Sequence, residues 1–205
     1  MHLLSDILDI AAFTYALLLF PAPLFWLVIH PAIGYWREKG TKAYWVALPV
    51  WVGTGVLLFL SRSLLFAQRI DRDALTWITG TVLLVVAVWV DRSVLRQFSV
   101  RRIIGLPELH PERNRGEVVR SGIYARIRHP RYLEYILMFL GWALLTGAVG
   151  IFALAFATIL MYLIVAPLEE RELRGRYGAA YEEYARAVPR FIPRLRRKFG
   201  ASVSA

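Results

Sequence analysis

Long apolar runs, separated by short basic stretches, dominate the chain. A helix that crosses a bilayer needs about 20 mainly apolar residues. Five segments approach that length, namely residues 7–29, 43–60, 75–90 and the two halves of 132–167. The pattern therefore predicts an all-α fold, a polytopic membrane helix bundle of five transmembrane helices with a C-terminal cytoplasmic helix.

Proline and glycine positions indicate where these spans break. Pro21 and Pro23 lie in the second half of the first span, which predicts a kink or a break there. The run 132–167 is too long for one crossing. Gly147 and Gly150 offer turn positions, so we predict a helical hairpin that turns between them.

We expect the chain to form a single domain that has four successive parts. They are the first three spans (1–90), a cytoplasmic connector (91–131), the helical hairpin (132–168), and a cytoplasmic C-terminal helix with its tail (169–205). The connector is expected to extend the third helix along the membrane interface and then to form a polar loop. Pro189 and Pro193 are expected to end the C-terminal helix.

The distribution of basic residues predicts the orientation. An external N-terminus places 22 of the 25 lysines and arginines on the cytoplasmic side. The net charge of +10 is then explained by topology and by anionic headgroups, so we expect no nucleic-acid partner. The chain has no cysteine, which excludes disulfides and thiolate metal sites, and its four histidines lack a paired metal-ligand spacing. The first span has no signal-peptide features and is expected to be retained.

Three groups of polar residues fall on the predicted cytoplasmic side. They are Gly122–Tyr124, Arg128–Tyr132 at the start of the fourth span, and Glu169–Glu170 at the end of the fifth. A hairpin that descends about 17 residues and returns as many ends at its starting depth, because both legs rise equally per residue. We therefore expect His129 and Glu169 to be neighbours.

This neighbourhood offers charges of both signs. Pro130 suits a helix start, and with Arg128 and Arg131 beside it the free N–H groups suit a carboxylate or phosphate. Glu169 and Glu170 suit an ammonium or sulfonium group. Four tyrosines are suited to stack on a purine or a cation, namely Tyr124, Tyr132, Tyr177 and Tyr181. S-adenosylmethionine carries the matching ligand groups, namely a carboxylate, an amine, a sulfonium and an adenine. Each of these residues taken singly also fits a structural role.

Two segments carry a family resemblance. GIYARIRHPRY, from Gly122 to Tyr132, and EERELRGRYGAAYEEYARAVPRFIP, from Glu169 to Pro193, resemble the motifs of the isoprenylcysteine carboxyl methyltransferase and phospholipid methyltransferase superfamily. The resemblance implies an enzyme that transfers a methyl group from S-adenosylmethionine to a lipid-like or prenylated acceptor. S-adenosylhomocysteine would be its product, and the acceptor would enter from the bilayer at the cytoplasmic face.

The resemblance also implies a cofactor pocket between the hairpin, the loop before it and the C-terminal helix. Its residues in this sequence would be Gly116, Val118, Val119, Gly122, Tyr124, Arg128, His129, Pro130, Arg131, Tyr132, Glu169 and Glu170. Because a sulfonium is already activated, alignment alone supplies much of the catalysis. We therefore expect neither a catalytic triad nor a metal.

Two positions depart from the family pattern. Val165 stands where prenylcysteine methyltransferases place an arginine for the substrate carboxylate, and Glu134 stands where relatives commonly have glycine. A carboxylate one turn inside a span is by default a functional candidate. We hypothesise that Glu134 is catalytic and touches the acceptor, binding or deprotonating an amine. An ion pair with Arg128 or Arg131 is an equal alternative.

Two other functions stay open. Membrane sterol reductases, which use NADPH, have a similar R-H-x-N-Y segment, but Arg131 occupies the position of its asparagine. A non-catalytic lipid-binding membrane protein is the other alternative. The sequence also leaves open the oligomeric state and the acceptor, which could be a prenylcysteine, an aminophospholipid, a small thiol or another lipid.

Overall fold

The structure is a computed structural model that describes residues 2–97 and 117–193. Within these ranges the chain is helical apart from short connections, which confirms the all-α prediction. The α-helices are α1 His2–Leu19, α2 Pro21–Ile29, α3 Ile33–Lys39, α4 Ala47–Leu60, α5 Arg62–Leu65, α6 Ala74–Leu95, α7 Pro130–Thr146, α8 Val149–Tyr177 and α9 Ala179–Ala187. Short 3-10 turns cover His30–Ala32, Gly40–Val46 and Gly122–Ala125.

Three helical stretches within the described ranges are long and apolar enough to cross a membrane. They are Leu3–Leu60, Ala74–Leu95 and Val149–Tyr177. The first contains α1 to α4 and so includes both the first and the second predicted span. Helix α7 has 17 residues, about 26 Å at its rise per residue, which falls short of a hydrocarbon core of about 30 Å. The protein is thus a helical membrane protein, and five separate crossings remain a prediction.

Prolines affect two helices differently. Helix α1 ends at Leu19 and α2 begins with Pro21, so the predicted break in the first span is confirmed. Proline suits a first helical position because its missing N–H has no partner there in any case. Pro167, by contrast, lies inside α8, and the helix continues to Tyr177. Residues 169–177 therefore extend α8 instead of beginning a separate C-terminal helix, and only α9 is separate.

Helices α6 and α7 approach each other closely through two glycines. A Cβ atom at Gly141 of α7 would lie 2.6 Å from Cδ2 of Leu84, and one at Gly80 of α6 would lie 2.9 Å from Cδ2 of Leu145. Small residues allow such close backbone packing between membrane helices, where association depends on van der Waals contact. Helix α7 also packs against α8 and α1, so it lies at the centre of the bundle.

The hairpin turn is held at one end of the bundle by the loop 66–73. Gly147 follows α7 with φ of 67° and confirms the predicted turn, since this left-handed conformation suits glycine. Its carbonyl accepts a hydrogen bond from the backbone N–H of Ile70 at 2.8 Å. Arg69 of the same loop contacts Asp9 of α1 at 3.1 Å. The start of α1, this loop and the hairpin turn therefore lie together, opposite the start of α7.

The close contact between α8 and α5 gives a testable prediction. A Cβ atom at Gly150 would lie 2.4 Å from the backbone Cα of Leu65, which cannot move without shifting α5. Gly150→Ala is expected to lower the free energy of unfolding by about 1–3 kcal/mol. The thermal unfolding midpoint in detergent measures this change.

The matched control is Gly55→Ala in α4, where an added Cβ meets no atom within 4 Å. Its midpoint is expected to stay equal or to rise slightly, because alanine favours helix more than glycine does. Equal midpoints for the two variants would contradict the contact between Gly150 and α5.

Candidate active site

A fully buried carboxylate, Glu170 on α8, joins three segments of the chain. Arg190 contacts it with two nitrogens, Nε at 2.9 Å and Nη2 at 2.8 Å. Nε2 of His129 lies 3.0 Å away and Nη2 of Arg128 lies 3.1 Å away. A buried charge is tolerated only when it is paired and hydrogen-bonded. Glu170 therefore holds the C-terminal segment and the segment before α7 against α8.

Backbone hydrogen bonds bring the basic residues to this position. The segment before α7 runs alongside the segment after α9, with the N–H of Arg128 donating to the carbonyl of Pro189 at 2.9 Å. The N–H of His129 donates to the carbonyl of Arg190 at 3.1 Å. The chain after α9 therefore closes over the start of α7, and both segments direct their side chains toward Glu170.

His129 lies between two carboxylates. Its Nε2 faces Glu170 at 3.0 Å, and its Nδ1 lies 3.2 Å from Oε2 of Glu169. Two adjacent carboxylates favour the positively charged form of the ring. Burial lowers the pKa of His129, but Glu169 and Glu170 outweigh that effect and raise the pKa above its ordinary value. The surroundings of His129 thus favour an imidazolium, and the predicted proximity of His129 and Glu169 is confirmed.

A cavity of about 190 Å³ opens beside this charge cluster. It is bounded by α2 with the following 3-10 turn, the end of α6, residues 117–119, the start of α7, the end of α8, and α9. Nine of the twelve predicted cofactor residues line it, namely Val118, Val119, Tyr124, Arg128, His129, Pro130, Arg131, Tyr132 and Glu169. The structure therefore brings most of the predicted site together.

The other three predicted cofactor residues are not part of the cavity wall that the structure describes. Gly116 falls outside the described residues. Gly122 has φ of 58°, and a Cβ atom there would lie 2.3 Å from Nε2 of Gln97, so the turn before α7 requires glycine. Glu170 lies behind His129 and is not among the residues that line the cavity. Gly122 and Glu170 thus shape the cavity from behind its wall.

Glu134 is also absent from the cavity wall in the described structure. It is buried on α7, and its Oε2 lies 3.6 Å from Nη1 of Arg131. Arg131 also forms an ion pair with Asp91 of α6. Of the two interpretations of Glu134, the ion pair with Arg131 is therefore present. A contact with the acceptor stays a hypothesis.

Several residues of the cavity wall are not predicted by the sequence. Trp26 and His30 come from the N-terminal half, whose apolar spans give no information about which face meets which helix. The signal that was available is His30 itself, a histidine at the end of an apolar run. The remaining ones are Val94, Tyr135, Leu173, Arg176 and Tyr184, while Tyr177 and Tyr181 were singled out for stacking and do line the cavity.

The cavity wall combines opposite charges with aromatic rings. Glu169 provides a carboxylate, and Arg128 and Arg176 provide guanidinium groups. The buried hydroxyl of Tyr181 has no hydrogen-bond partner among the described residues. Burial raises the pKa of Tyr181, which keeps this hydroxyl protonated and able to donate. The site is suited to a ligand that carries both charges together with a planar ring.

The comparison with protein families identifies the class of protein. The model of the phospholipid methyltransferase family matches residues 75–180, 106 of the 205 residues. The chain belongs to this family. The match begins with α6 and ends in α9, so it includes the segment before α7, the hairpin and both glutamates.

Two of the following three relatives are named as methyltransferases, as is the family. The chain is 37% identical over 73 residues to methanethiol S-methyltransferase 2 of Bradyrhizobium diazoefficiens, which is 36% of this chain and 27% of that protein. It is 33% identical over 142 residues to the cobalt-zinc-cadmium resistance protein CzcN of Cupriavidus metallidurans, 68% of this chain and 61% of the relative. The protein-S-isoprenylcysteine O-methyltransferase of Schizosaccharomyces pombe is 35% identical over 78 residues, 37% and 33% of the two chains.

These matches span less than two thirds of the length of each relative. A similarity also extends to the Delta(14)-sterol reductase TM7SF2 of Mus musculus, 31% identical over 80 residues, which is 38% of this chain and 19% of the reductase. No solved structure matches the chain. The relatives thus support a membrane methyltransferase and leave the methyl donor and acceptor to be inferred from the site.

The buried ion cluster gives the second prediction. Glu170→Gln removes the charge that Arg128, His129 and Arg190 share, and leaves buried cations without compensation. We expect the free energy of unfolding to fall by about 3–5 kcal/mol. Thermal or denaturant unfolding of the detergent-solubilised protein measures the loss.

The control is Glu183→Gln on α9, whose carboxylate is 71% exposed and lies 3.0 Å from Arg120. An exposed pair of this kind contributes about 1 kcal/mol at most. If both variants unfolded at the same midpoint, the central structural role of Glu170 would be refuted.

Proposed function

We propose that this protein transfers a methyl group from S-adenosylmethionine to a lipid-like or prenylated acceptor at the cytoplasmic membrane face. The proposal depends on one observation. A carboxylate, guanidinium groups and tyrosines of the matched family segments face a single cavity at the end of a membrane helix hairpin. The bound donor would supply a methyl group on a positively charged sulfur, already activated for transfer.

The negative wall of the cavity fits the amino group of such a donor. The side chain of Glu169 is 22% exposed, whereas that of Glu170 is completely buried. His129 lies beside Glu169 on the protein side, and the buried Oε2 of Glu169 has no hydrogen-bond partner within the described residues. We propose that Glu169 accepts hydrogen bonds from the ammonium group, while Glu170 keeps His129 charged and oriented.

Other parts of the wall fit the remaining groups of the donor. Arg128 and Arg131 flank the start of α7, and the free N–H groups of that helix favour an anion. Arg128 and these N–H groups are therefore suited to the donor carboxylate. Tyr177 and Tyr181 provide aromatic faces for adenine, and the free hydroxyl of Tyr181 can donate to a ring nitrogen or a ribose oxygen. The residues present thus fit S-adenosylmethionine.

Val165, which departs from the family pattern, limits the range of possible acceptors. Val165 is fully buried and packs with Tyr132, Tyr162 and Ala166, so no guanidinium reaches the cavity from this position. A substrate carboxylate would lack the partner that prenylcysteine methyltransferases place there. A relative named for methanethiol and another named for isoprenylcysteine support a sulfur-containing or a prenylated acceptor. We propose that an apolar acceptor enters beside Trp26 and Val94.

The orientation of the protein in the membrane is also part of the proposal. The cavity lies at the end of the bundle opposite the start of α1, which contacts the loop 66–73. Most lysines and arginines of the chain lie in segments connected to the cavity end. The positive-inside rule therefore favours a cytoplasmic active site with an external N-terminus and a cytoplasmic C-terminus.

Ligand binding tests the donor. S-adenosylhomocysteine is expected to raise the thermal midpoint of the purified protein, because a ligand that binds only the folded state stabilises it by mass action. NADPH is expected to leave the midpoint unchanged. Glu169→Gln should weaken the binding of S-adenosylhomocysteine about tenfold or more, through the loss of a charge-assisted hydrogen bond.

The control for Glu169→Gln is the exposed Glu182→Gln on α9, which should bind S-adenosylhomocysteine as the wild type does. Stabilisation by NADPH alone would favour a sterol-reductase type of reaction. No response to either compound would favour a non-catalytic lipid-binding protein.

Glu134 requires a separate test, once labelled S-adenosylmethionine and native membranes have identified the acceptor by mass spectrometry. If Glu134 touches the acceptor, Glu134→Ala should lower turnover about 100-fold while the affinity for S-adenosylhomocysteine stays unchanged. Full turnover by Glu134→Ala would refute a catalytic role and leave only the ion pair with Arg131.

A further inference from the structure

His30 lies in the cavity wall. It is the first residue after α2, is 5% exposed, and stacks on Trp26 with ring centroids 5.0 Å apart and an interplanar angle of 25°. Within residues 2–97 and 117–193, neither ring nitrogen has a hydrogen-bond partner. Buried polar groups are nearly always hydrogen-bonded, and those that are not require an explanation. A ligand in the cavity is the explanation that the position of His30 favours.

The charged groups around His30 already have partners. Glu169 on α8, His129 before α7 and Arg37 on α3 are the charged residues that act on it electrostatically. Glu169 and His129 pair with each other, and Arg37 forms an ion pair with Glu172 of α8. The imidazole of His30 is therefore not needed for the ion network. In its neutral form it offers one lone pair that can accept a proton.

We propose that His30 is a catalytic residue that accepts the proton of a thiol acceptor, an inference that rests on the proposed methyl transfer. The acceptor sulfur forms a bond to the methyl carbon, and the bond from that carbon to the donor sulfur breaks. The thiol proton passes to the free nitrogen of His30. The products are a methyl thioether and S-adenosylhomocysteine, and His30 later releases its proton to solvent.

The chemistry of an imidazole selects this acceptor class. A carboxylate carries no proton at neutral pH and needs a cation, which the buried Val165 does not provide. The pKa of a cysteine-type thiol is about 8.5, roughly two units above that of imidazole, whereas an alkyl ammonium lies about four units above it. Proton transfer to His30 is therefore far easier from a thiol of this type than from an amine. Trp26 and Val94 in the same wall suit an apolar substituent on that thiol.

The test compares His30→Gln with the wild type, using purified full-length protein, S-adenosylmethionine and the hexylamide of N-acetylcysteine, a cysteine-type thiol with an apolar substituent, as the probe. Glutamine keeps a hydrogen-bonding side chain but cannot accept a proton. At neutral pH kcat is expected to fall about 100-fold or more, with little change in KM. Near pH 9.5, where the thiol ionises by itself, most of the lost activity should return.

Two controls accompany this comparison. His2→Gln, at the beginning of α1 and at the other end of the bundle, should keep the activity and pH profile of the wild type. S-adenosylhomocysteine should stabilise His30→Gln and His30→Asn as it does the wild type. Loss of that stabilisation in both variants would overturn the assignment, because His30 would then hold the donor or the fold.

The remaining outcomes separate this inference from the proposed function. A variant with wild-type kcat at neutral pH, or with a pH profile parallel to the wild type, overturns the role of His30. A wild type that binds S-adenosylhomocysteine but does not methylate the hexylamide of N-acetylcysteine overturns the thiol class and leaves the donor intact. A wild type that does not bind S-adenosylhomocysteine refutes the proposed function itself.

Discussion

The rest of the structure depends on the pairing of one buried carboxylate at the end of a membrane helix. Glu170 has no exposed surface, so it can stay ionised there only with cations around it. Those cations come from the segment before α7 and the segment after α9, which are distant in sequence from each other. Pairing Glu170 therefore brings His129, Arg128 and Arg190 to one point, where His129 and Arg128 also line the cavity.

The N-terminal half completes the cavity through a second ion pair. Arg37 of α3 pairs with the largely buried Glu172 of α8, two residues beyond Glu170. This contact draws α3 toward α8, while α2 and the 3-10 turn after it pack along the same helix. Trp26 and His30 thereby become the wall that faces Glu169. The family match starts at residue 75, so this wall is contributed by a part of the chain outside the matched segment.

Part of this arrangement could be predicted from the sequence, because two helices of a hairpin that have the same number of residues end at the same depth. This geometry places His129 beside Glu169 without any knowledge of side-chain packing. The different surroundings of Glu169 and Glu170 could not be predicted, since both are acidic and adjacent, and only the packed structure shows which one faces the cavity. The wall formed by Trp26 and His30 could not be predicted either, because a uniformly apolar span does not indicate which of its faces packs against which helix. The continuation of α8 past Pro167 likewise reflects tertiary packing that overrides local preference.

The adjacency of Glu169 and Glu170 has a physical consequence. Successive residues on a helix point about 100° apart, so one carboxylate can face the protein and the next can face a cavity. His129 spans that angle with one nitrogen toward each. Glu170 is compensated by Arg128, His129 and Arg190, and the negative charge that reaches the cavity is on Glu169. The cluster thus compensates its buried carboxylate while it presents an oriented anion, which is the feature that a cationic ligand requires.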